Sequence, residues 1–378
     1  MSDADFDQRC MRHALELAER GLHTTDPNPR VGCVLARDGV IVGEGVHLRA
    51  GEPHAEPLAL AAAGAMARGA TAYVTLEPCN HHGRTPPCTE ALLAAGVVRV
   101  VYATRDPNPR VDGSGAARLA AAGVVTECGL LESEALELNC GFVARLQRGR
   151  PFVRLKSAVS LDGRVALANG ASRWITGEAA RADVQRWRAR SSVILTTAAT
   201  VLADDPRLDL RLAGATRQPL RVLLDRQLRT PANARIFAPP GQVLIVTGAD
   251  AAAAAATRGA ETRQGAERVA VAEVPVAGVP GSTANRQLDL TAVLGELAVR
   301  EANEVLVEAG GVLSGALLEQ GLVDEWLLYI APRVLGNTAQ PLAVLQPLQQ
   351  LTDARSFQII ESTLLGDDLR LRLRPRAH

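Results

Sequence analysis

Aromatic residues are scarce in this 378-residue chain, at 3%, and neither charge is in excess, with 41 basic residues against 41 acidic ones. A nucleic-acid surface needs a cationic footprint and rings for base stacking, so nucleic acid is not an expected partner. No apolar run approaches the roughly 20 residues that span a bilayer, which argues against a membrane protein. The opening "MSDADFDQRC" is acidic and lacks the apolar core of a signal peptide, so a cytoplasmic location is expected. No unit of about 20 to 50 residues recurs, which excludes a solenoid. Two further shortages are local. Cysteine is absent after residue 140, and six of the seven histidines lie before residue 83. Cysteine and histidine ligands are thereby concentrated in the first part of the chain.

What is present fits an ordinary globular protein. Hydrophobic residues make up 47% and charged residues 22%, enough for a full core, and the length favours two domains. The first part alternates elements. "RVGCVLARDGVIVGEGVH" reads as a hairpin turning at Arg-Asp-Gly, "AEPLALAAAGAMARGA" as a helix, "TAYVTLE" and "VVRVVYAT" as strands. "TEALLAAG", "AARLAAAG" and "ESEALELNCGFVARLQ" read as helices, with "VVTECG" a strand between the last two. Such alternation predicts helices on both faces of a mostly parallel sheet. Gly149 and Pro151 in "QRGRP" mark a junction, giving expected domains at 1–149 and 150–378. Beyond it, "PFVRLKSAVSLDGRVA" opens a second series of strands that runs through "SSVILTT", "PLRVLLD", "GQVLIVTG", "NEVLVEAG" and "VDEWLLYIAP" to "DDLRLRLRP". "EAARADVQRWRAR" reads as a helix, and "DAAAAAATRGAETRQGAE" as a surface helix or loop. The pentapeptide Asp-Pro-Asn-Pro-Arg occurs at 26–30 and 106–110, and both copies read as turns.

The cysteines divide into two groups. Cys10, Cys33, Cys128 and Cys140 are expected to be small core hydrophobes. Cys79 and Cys88 bracket an eight-residue loop, wider than the familiar zinc spacings, and need a third partner. "GEPHAEPLAL" supplies one in His54. One imidazole and two thiolates leave zinc a fourth position for water, the pattern of a catalytic site. Glu56 stands two residues from His54 as a proton shuttle that is not itself a ligand. His54 and Cys88 each precede or open a helix, where unpaired N–H groups favour a thiolate. This is zinc-deaminase chemistry, in which acidified water attacks an amidine carbon of a ring and Glu56 passes its proton to departing ammonia. In "VEAGGVLSGALLEQG", a strand, a glycine turn and a helix follow one another. Gly310, Gly311 and Gly315 do not form the Gly-x-Gly-x-x-Gly fingerprint, yet a helix start can hold a phosphate.

The stretches "TTDPNPRVGCVL", "GEGVHLRAGEPHAE" and "TLEPCNHHGRTPPCTEALLAAG" closely resemble the deaminase half of the bifunctional riboflavin-biosynthesis deaminase/reductases. "KSAVSLDGRVA", "SRWITG", "ATVLADDPRL" and "VEAGGVLSGALL" resemble the reductase half. The resemblance implies a cytidine-deaminase-like three-layer αβα domain followed by a dihydrofolate-reductase-like α/β domain. It implies one zinc ion per chain, NADPH, and phosphorylated pyrimidine substrates: a 2,5-diaminopyrimidinone is deaminated, and the ribosyl chain of the resulting 5-aminouracil is reduced to ribityl. It also implies assembly as a homo-oligomer, dimer or tetramer.

Residue roles follow from the same resemblance. Asn28, His47, His81 and Arg84 would line the pyrimidine and phosphate site; apart from the resemblance, His82 and Thr85 are by residue type further donors in the same loop. Lys156, Ser172, Arg188, Leu208, Arg211 and Glu308 would hold the reductase substrate, the two arginines suiting its phosphate. Ala158, Trp174, Thr200, Asp204 and the run Gly310, Gly311, Val312, Leu313, Ser314, Gly315, Ala316 would contact NADPH. Lys156 and Asp204 are the ionisable candidates for assisting proton transfer. Arg226 stands where relatives often carry a small hydroxyl residue, and could pair with the 2′-phosphate of NADPH or point outward. The competing reading is a nucleobase or tRNA deaminase whose C-terminal domain binds a partner without catalysis. A purely structural metal module would leave Glu56 unexplained.

Overall fold

The computed structural model describes residues 3–81, 86–109, 111–257, 267–270, 273–275 and 286–376, and the chain divides into two compact units at Gly149/Arg150. The first unit contains α1 (Asp3–Glu19), β1 (Gly32–Arg37), β2 (Val40–Val46), α2 (Ala55–Ala63), β3 (Thr71–Val74) and α3 (Cys88–Ala95). It continues through β4 (Arg99–Tyr102), α4 (Ser114–Ala121), β5 (Val125–Cys128), α5 (Glu132–Leu138) and α6 (Cys140–Arg148). The sheet order is β2-β1-β3-β4-β5. β3, β4 and β5 run parallel, whereas β1 pairs antiparallel with both β2 and β3. Half of the sheet is thus antiparallel, because a turn at Asp38–Gly39, with both residues at positive φ, joins β1 to β2.

Alternation along the strands builds two cores. Cys33, Leu35, Ala72, Val74, Val100 and Tyr102 face α2, α3 and α4. Val34, Ala36, Tyr73 and Val101 face α1 and α5. Three layers result, as period-two side chains on a two-sided sheet require. α2 lies close against β2, since a Cβ on Gly45 would stand 2.0 Å from the Ala55 carbonyl oxygen and one on Gly43 2.3 Å from that of Ala59. The alanine-rich helix and the bare strand backbone together allow that approach. Cys10 and Cys33 are buried in the cores as expected; Cys128 is exposed and Cys140 half-buried, the former because β5 is an edge strand.

The second unit begins with β6 (Phe152–Ser160), β7 (Arg164–Ala166), α7 (Glu178–Arg190), β8 (Val193–Thr197), α8 (Ala198–Asp204) and β9 (Leu220–Leu224). β10 (Val243–Thr247), α9 (Ala249–Thr257), β11 (Glu267–Ala270), β12 (Glu273–Pro275), β13 (Arg286–Leu288) and α10 (Leu290–Val299) follow. The last elements are β14 (Glu304–Glu308), α11 (Gly311–Glu319), β15 (Glu325–Ala331), β16 (Gln340–Pro341), β17 (Phe357–Leu365) and β18 (Asp368–Pro375). Nine strands form one sheet in the order β11-β10-β9-β8-β14-β6-β15-β18-β17. From β11 to β15 all neighbours are parallel; β18 and β17 close the far edge antiparallel.

One face of this sheet packs α10 and α11; the other packs α7 and α8. The stretch that reads as one long opening strand breaks at Asp162–Gly163 into β6 and β7, and β7 pairs with β16 in a small separate ladder. The alanine-rich stretch begins with α9, and its continuation from 258 to 266 lies outside the described residues.

Candidate active sites

The first site forms where α2, α3 and the end of β3 meet. His54 is the residue before α2, Cys88 opens α3, and Cys79 follows β3 by a short turn. Their ligand atoms lie within 4.8 Å of one another. His54 Nδ1 is 3.6 Å from Cys79 Sγ and 3.3 Å from Cys88 Sγ. Tetrahedral zinc, with bonds of about 2.3 Å to sulfur and 2.0–2.1 Å to nitrogen, sets sulfur and nitrogen about 3.6 Å apart, so these atoms fit the ion. Nδ1 rather than Nε2 faces the sulfurs. The Cys88 backbone N–H points at Cys79 Sγ at 3.3 Å. Hydrogen bonding from Cys88 and His54 pulls the Cys79 thiol well below its ordinary range despite burial, while its bond to Cys79 and burial hold the Cys88 proton.

Glu56 lies in the first turn of α2 and is 3% exposed. Burial, with the Cys79 charge adding to it, pushes its carboxyl above the usual range. His47 is buried against His54, ring centroids 5.3 Å apart and edge to face. Its Nδ1 meets the Pro53 carbonyl at 3.0 Å and its Nε2 meets Asn28 Nδ2 at 3.1 Å. A carbonyl can only accept, so Nδ1 carries the proton and Nε2 accepts from Asn28. Burial lowers the His47 pKa and keeps the ring neutral. Asn28 and His47, expected in the substrate site, are thus bonded to each other beside the metal triad. His81 Nδ1 is buried with no hydrogen-bond partner among the described residues. Arg84, with His82, Gly83 and Thr85, falls outside the described residues.

Two residues here escaped the sequence reading. Asn139, between α5 and α6, accepts from the Arg30 N–H at 2.8 Å and donates to the Arg30 carbonyl at 3.0 Å. It grips the first Asp-Pro-Asn-Pro-Arg turn as a neighbouring strand would. Glu77, after β3, is 3% exposed and accepts backbone N–H groups from the segment containing the second copy. A carboxylate inside an otherwise apolar strand end was the available signal for Glu77.

The second site lies at the carboxyl ends of parallel strands, where open α/β sheets place their ligands. Thr200, Arg226 and Gly310 follow β8, β9 and β14, and β9, β8 and β14 are neighbours in the sheet. Lys156 and Ala158 share one face of β6, with Lys156 in register with Glu308 on β14. Arg188 of α7 reaches Glu308 through Nε at 2.6 Å and Nη2 at 3.0 Å, and its Nη1 meets the Asp209 carbonyl at 2.9 Å. Lys156 Nζ is 3.9 Å from Glu308. Burial lowers the Lys156 pKa, and Glu308 opposes the shift. Arg211 pairs with Asp209 but is 56% exposed. Leu208 is buried at φ +50°.

Ser172 Oγ donates to Asp204 at 2.9 Å, joining one expected substrate residue to one expected cofactor residue. Trp174 is 64% exposed under the Arg181 guanidinium, so it is no core aromatic. Thr197 Oγ1 caps α8 by accepting from the Thr200 N–H at 3.2 Å. The Arg226 carbonyl accepts from Thr247 Oγ1 and the Gly248 N–H.

The glycines of the 310–316 run differ from one another. A Cβ on Gly315 would stand 1.8 Å from the Val344 carbonyl oxygen and one on Gly311 2.5 Å from that of Pro341, whereas Gly310 faces open space. Leu313 and Ser314 are buried, Ala316 packs against the core, and Val312 is 75% exposed.

Residues 4–104 match the model of the cytidine and deoxycytidylate deaminase zinc-binding region, and residues 151–366 that of the RibD C-terminal domain. The riboflavin biosynthesis protein RibD of Escherichia coli K12 is 47% identical over 379 residues, spanning 97% of this chain and 99% of that protein. The chain belongs to the RibD family. The Haemophilus influenzae RibD is 44% identical over 382 residues, spanning 97% and 96%. Among solved structures, Acinetobacter baumannii RibD superposes with a TM-score of 0.88 at 42% identity, covering 99% of each chain. The Thermotoga maritima deaminase/reductase does so at 0.84 and 32%, covering 98% and 99%. Like other RibD proteins, this chain is a bifunctional enzyme of riboflavin biosynthesis, a zinc hydrolase and an NADPH oxidoreductase joined. That removes the nucleobase or tRNA deaminase with an inert C-terminal domain. Among the described residues no helix is long and apolar enough to cross a membrane.

Proposed function

We propose that residues 1–149 deaminate 2,5-diamino-6-(5-phosphoribosylamino)pyrimidin-4-one and that residues 150–378 reduce the ribosyl chain of 5-amino-6-(5-phosphoribosylamino)uracil. The observation that carries the first half is the convergence of His54, Cys79 and Cys88 beside buried Glu56. These three residues hold one zinc per chain, which supplies Lewis acidity toward water when bound. Glu56 takes a proton from the attacking water and returns it to the leaving ammonia. The fixed tautomer of His47 and its bond from Asn28 keep the wall beside His54 rigid; His81 and Arg84 meet the substrate from the loop.

In the second half the first turn of α11 receives the NADPH phosphates through its backbone N–H groups. Gly310 and Val312 face the ligand there, while Leu313, Ser314, Gly315 and Ala316 anchor the turn. Ala158, Trp174, Thr200 and Asp204 complete the cofactor site, and Arg226 stands near the 2′-phosphate. Lys156, Ser172, Leu208 and Arg211 hold the substrate. Arg188, its fork engaged by Glu308, acts by holding that carboxylate in place. Lys156 and Asp204 are the proton carriers for the reduction, and the cofactor supplies the hydride. The enzyme works in the cytoplasm and assembles as a homo-oligomer, and the exposed Ile359 and Leu364 of edge strand β17 support the assembly.

The deciding experiment replaces Glu56 by Gln. Zinc should remain stoichiometric and reduction of supplied 5-aminouracil intermediate should persist, while ammonia release falls by about three orders of magnitude or more. Near-normal ammonia release would overturn the assignment, and stoichiometric zinc in both Cys79→Ser and Cys88→Ser would overturn the ligand set.

A further inference from the structure

The carboxylate of Glu77 is buried two residues before Cys79, and its four hydrogen-bond donors come from a distant stretch of backbone. Its Oε1 accepts the N–H groups of Gly115 at 3.0 Å and Ala116 at 3.1 Å, and its Oε2 those of Gly113 at 3.0 Å and Asp106 at 3.4 Å. Three of the four donors open α4, where an anion is favoured. The fourth starts the second Asp-Pro-Asn-Pro-Arg turn. Contacts on either side of Cys79 tighten the same junction. A Cβ at Gly115 would stand 2.0 Å from the Pro78 carbonyl oxygen. Asn80 Nδ2 donates to the Ser114 carbonyl at 3.3 Å, and its Oδ1 accepts from Thr89 Oγ1 of α3 at 3.0 Å. Asp106 and the start of α4, Gly113–Ala116, are thus docked onto the Pro78–Asn80 turn that presents Cys79, and Glu77 is the group common to both.

We propose that Glu77 is a positioning residue for deamination: it fixes Asp106 and the start of α4 against the metal-binding turn and thereby sets substrate affinity, without contributing to metal retention. Two oxygens divide four donors between them, a task only an ionised carboxylate can perform. An amide at this place would turn an NH2 group toward two N–H donors and push them away. The ligand triad is held by other contacts, namely the helix starts at His54 and Cys88 and the bond from the Cys88 N–H to Cys79. The inference rests on the deaminase-site reading given above.

The test uses the full-length enzyme. Glu77→Gln should keep zinc at the wild-type stoichiometry and keep the reductase rate, while the deaminase KM rises about ten- to hundredfold with kcat changed much less. Gly113→Ala approaches the same contact from the donor side, since Gly113 sits at φ +81° where a side chain is strained. It should raise KM in the same direction, and it decides the matter alone if Glu77→Gln fails to fold. Zinc loss that parallels activity loss in Glu77→Gln would make Glu77 a support of the metal site and overturn the proposal. An unchanged KM would do so as well. Glu56→Gln run alongside separates the two readings: if it still releases ammonia, the site assignment itself fails. If it is inactive while the Glu77 and Gly113 variants keep wild-type KM, only the role of Glu77 fails.

Discussion

Arg188 and Glu308 form a two-pronged ion pair, with Nε at 2.6 Å and Nη2 at 3.0 Å from the two carboxylate oxygens, and both side chains are close to fully buried. Breaking a buried pair leaves one uncompensated charge and costs about 3–5 kcal/mol, whereas removing both charges together costs far less. Glu308→Gln is therefore expected to destabilise the reductase unit by about that amount, and Glu308→Gln with Arg188→Met to recover much of it. Urea unfolding of the three proteins measures this. Equal stability of the single and double variants would show that the stranded Arg188 charge is not what destabilises Glu308→Gln.

The glycines of the 310–316 run should separate folding from binding. Gly310→Ala adds a methyl group that meets nothing within the protein, so the melting temperature should hold while NADPH binding weakens about tenfold or more through crowding at the helix start. Gly315→Ala drives its methyl into the Val344 carbonyl and should lower the melting temperature by several degrees. Calorimetric titration and thermal scans of both variants check the split, and the reverse pattern would remove Gly310 from the cofactor site.

Acid stability should depend on Glu325. Burial raises its carboxyl, but Arg154 and Arg372 outweigh that and hold it down at about 2, against an ordinary 4.5. A depressed folded pKa gives stability that is complete above the unfolded value and lost as pH falls through the folded one. Wild type should therefore exceed Glu325→Gln in stability at neutral pH, and the gap should narrow between about pH 4.5 and 2. Denaturation curves across that window test it, and a pH-independent gap would show that Glu325 does not titrate as the ion pairs require.

A fragment of residues 150–378 should fold without zinc, since it contains no cysteine and its single histidine is His378. It should bind NADPH more tightly than NADH, and Arg226→Ser should reduce that preference if Arg226 meets the 2′-phosphate. Fluorescence titration of soluble, cooperatively folded fragment with both nucleotides is the measurement. Unchanged discrimination in Arg226→Ser clears that residue alone, whereas failure to bind either nucleotide removes the cofactor reading of this unit.

Residue chemistry and local pattern were enough to single out the candidate ligands that the fold brings together. Histidine, two cysteines and a nearby glutamate are rare in combination, and the helix starts that present His54 and Cys88 are written in adjacent residues. The alternation of apolar runs likewise revealed the layered α/β class, because period two and period 3.6 are local properties. Local pattern did not reveal α1, α10 or edge strand β17, whose ambiguous runs are resolved only by the surfaces they cover.

Tertiary structure alone decided the partners. Asn139 meets Arg30 across 109 positions and Arg188 meets Glu308 across 120, distances at which no sequence spacing carries information. Which histidine nitrogen faces the sulfurs, which glycine faces a ligand and which faces a carbonyl, and why a carboxylate stands inside the strand end at Glu77 all depend on what lies opposite. The chain encodes the donors and acceptors one by one, but burial makes each of them require a partner, and only the packing of distant segments determines which partner it receives.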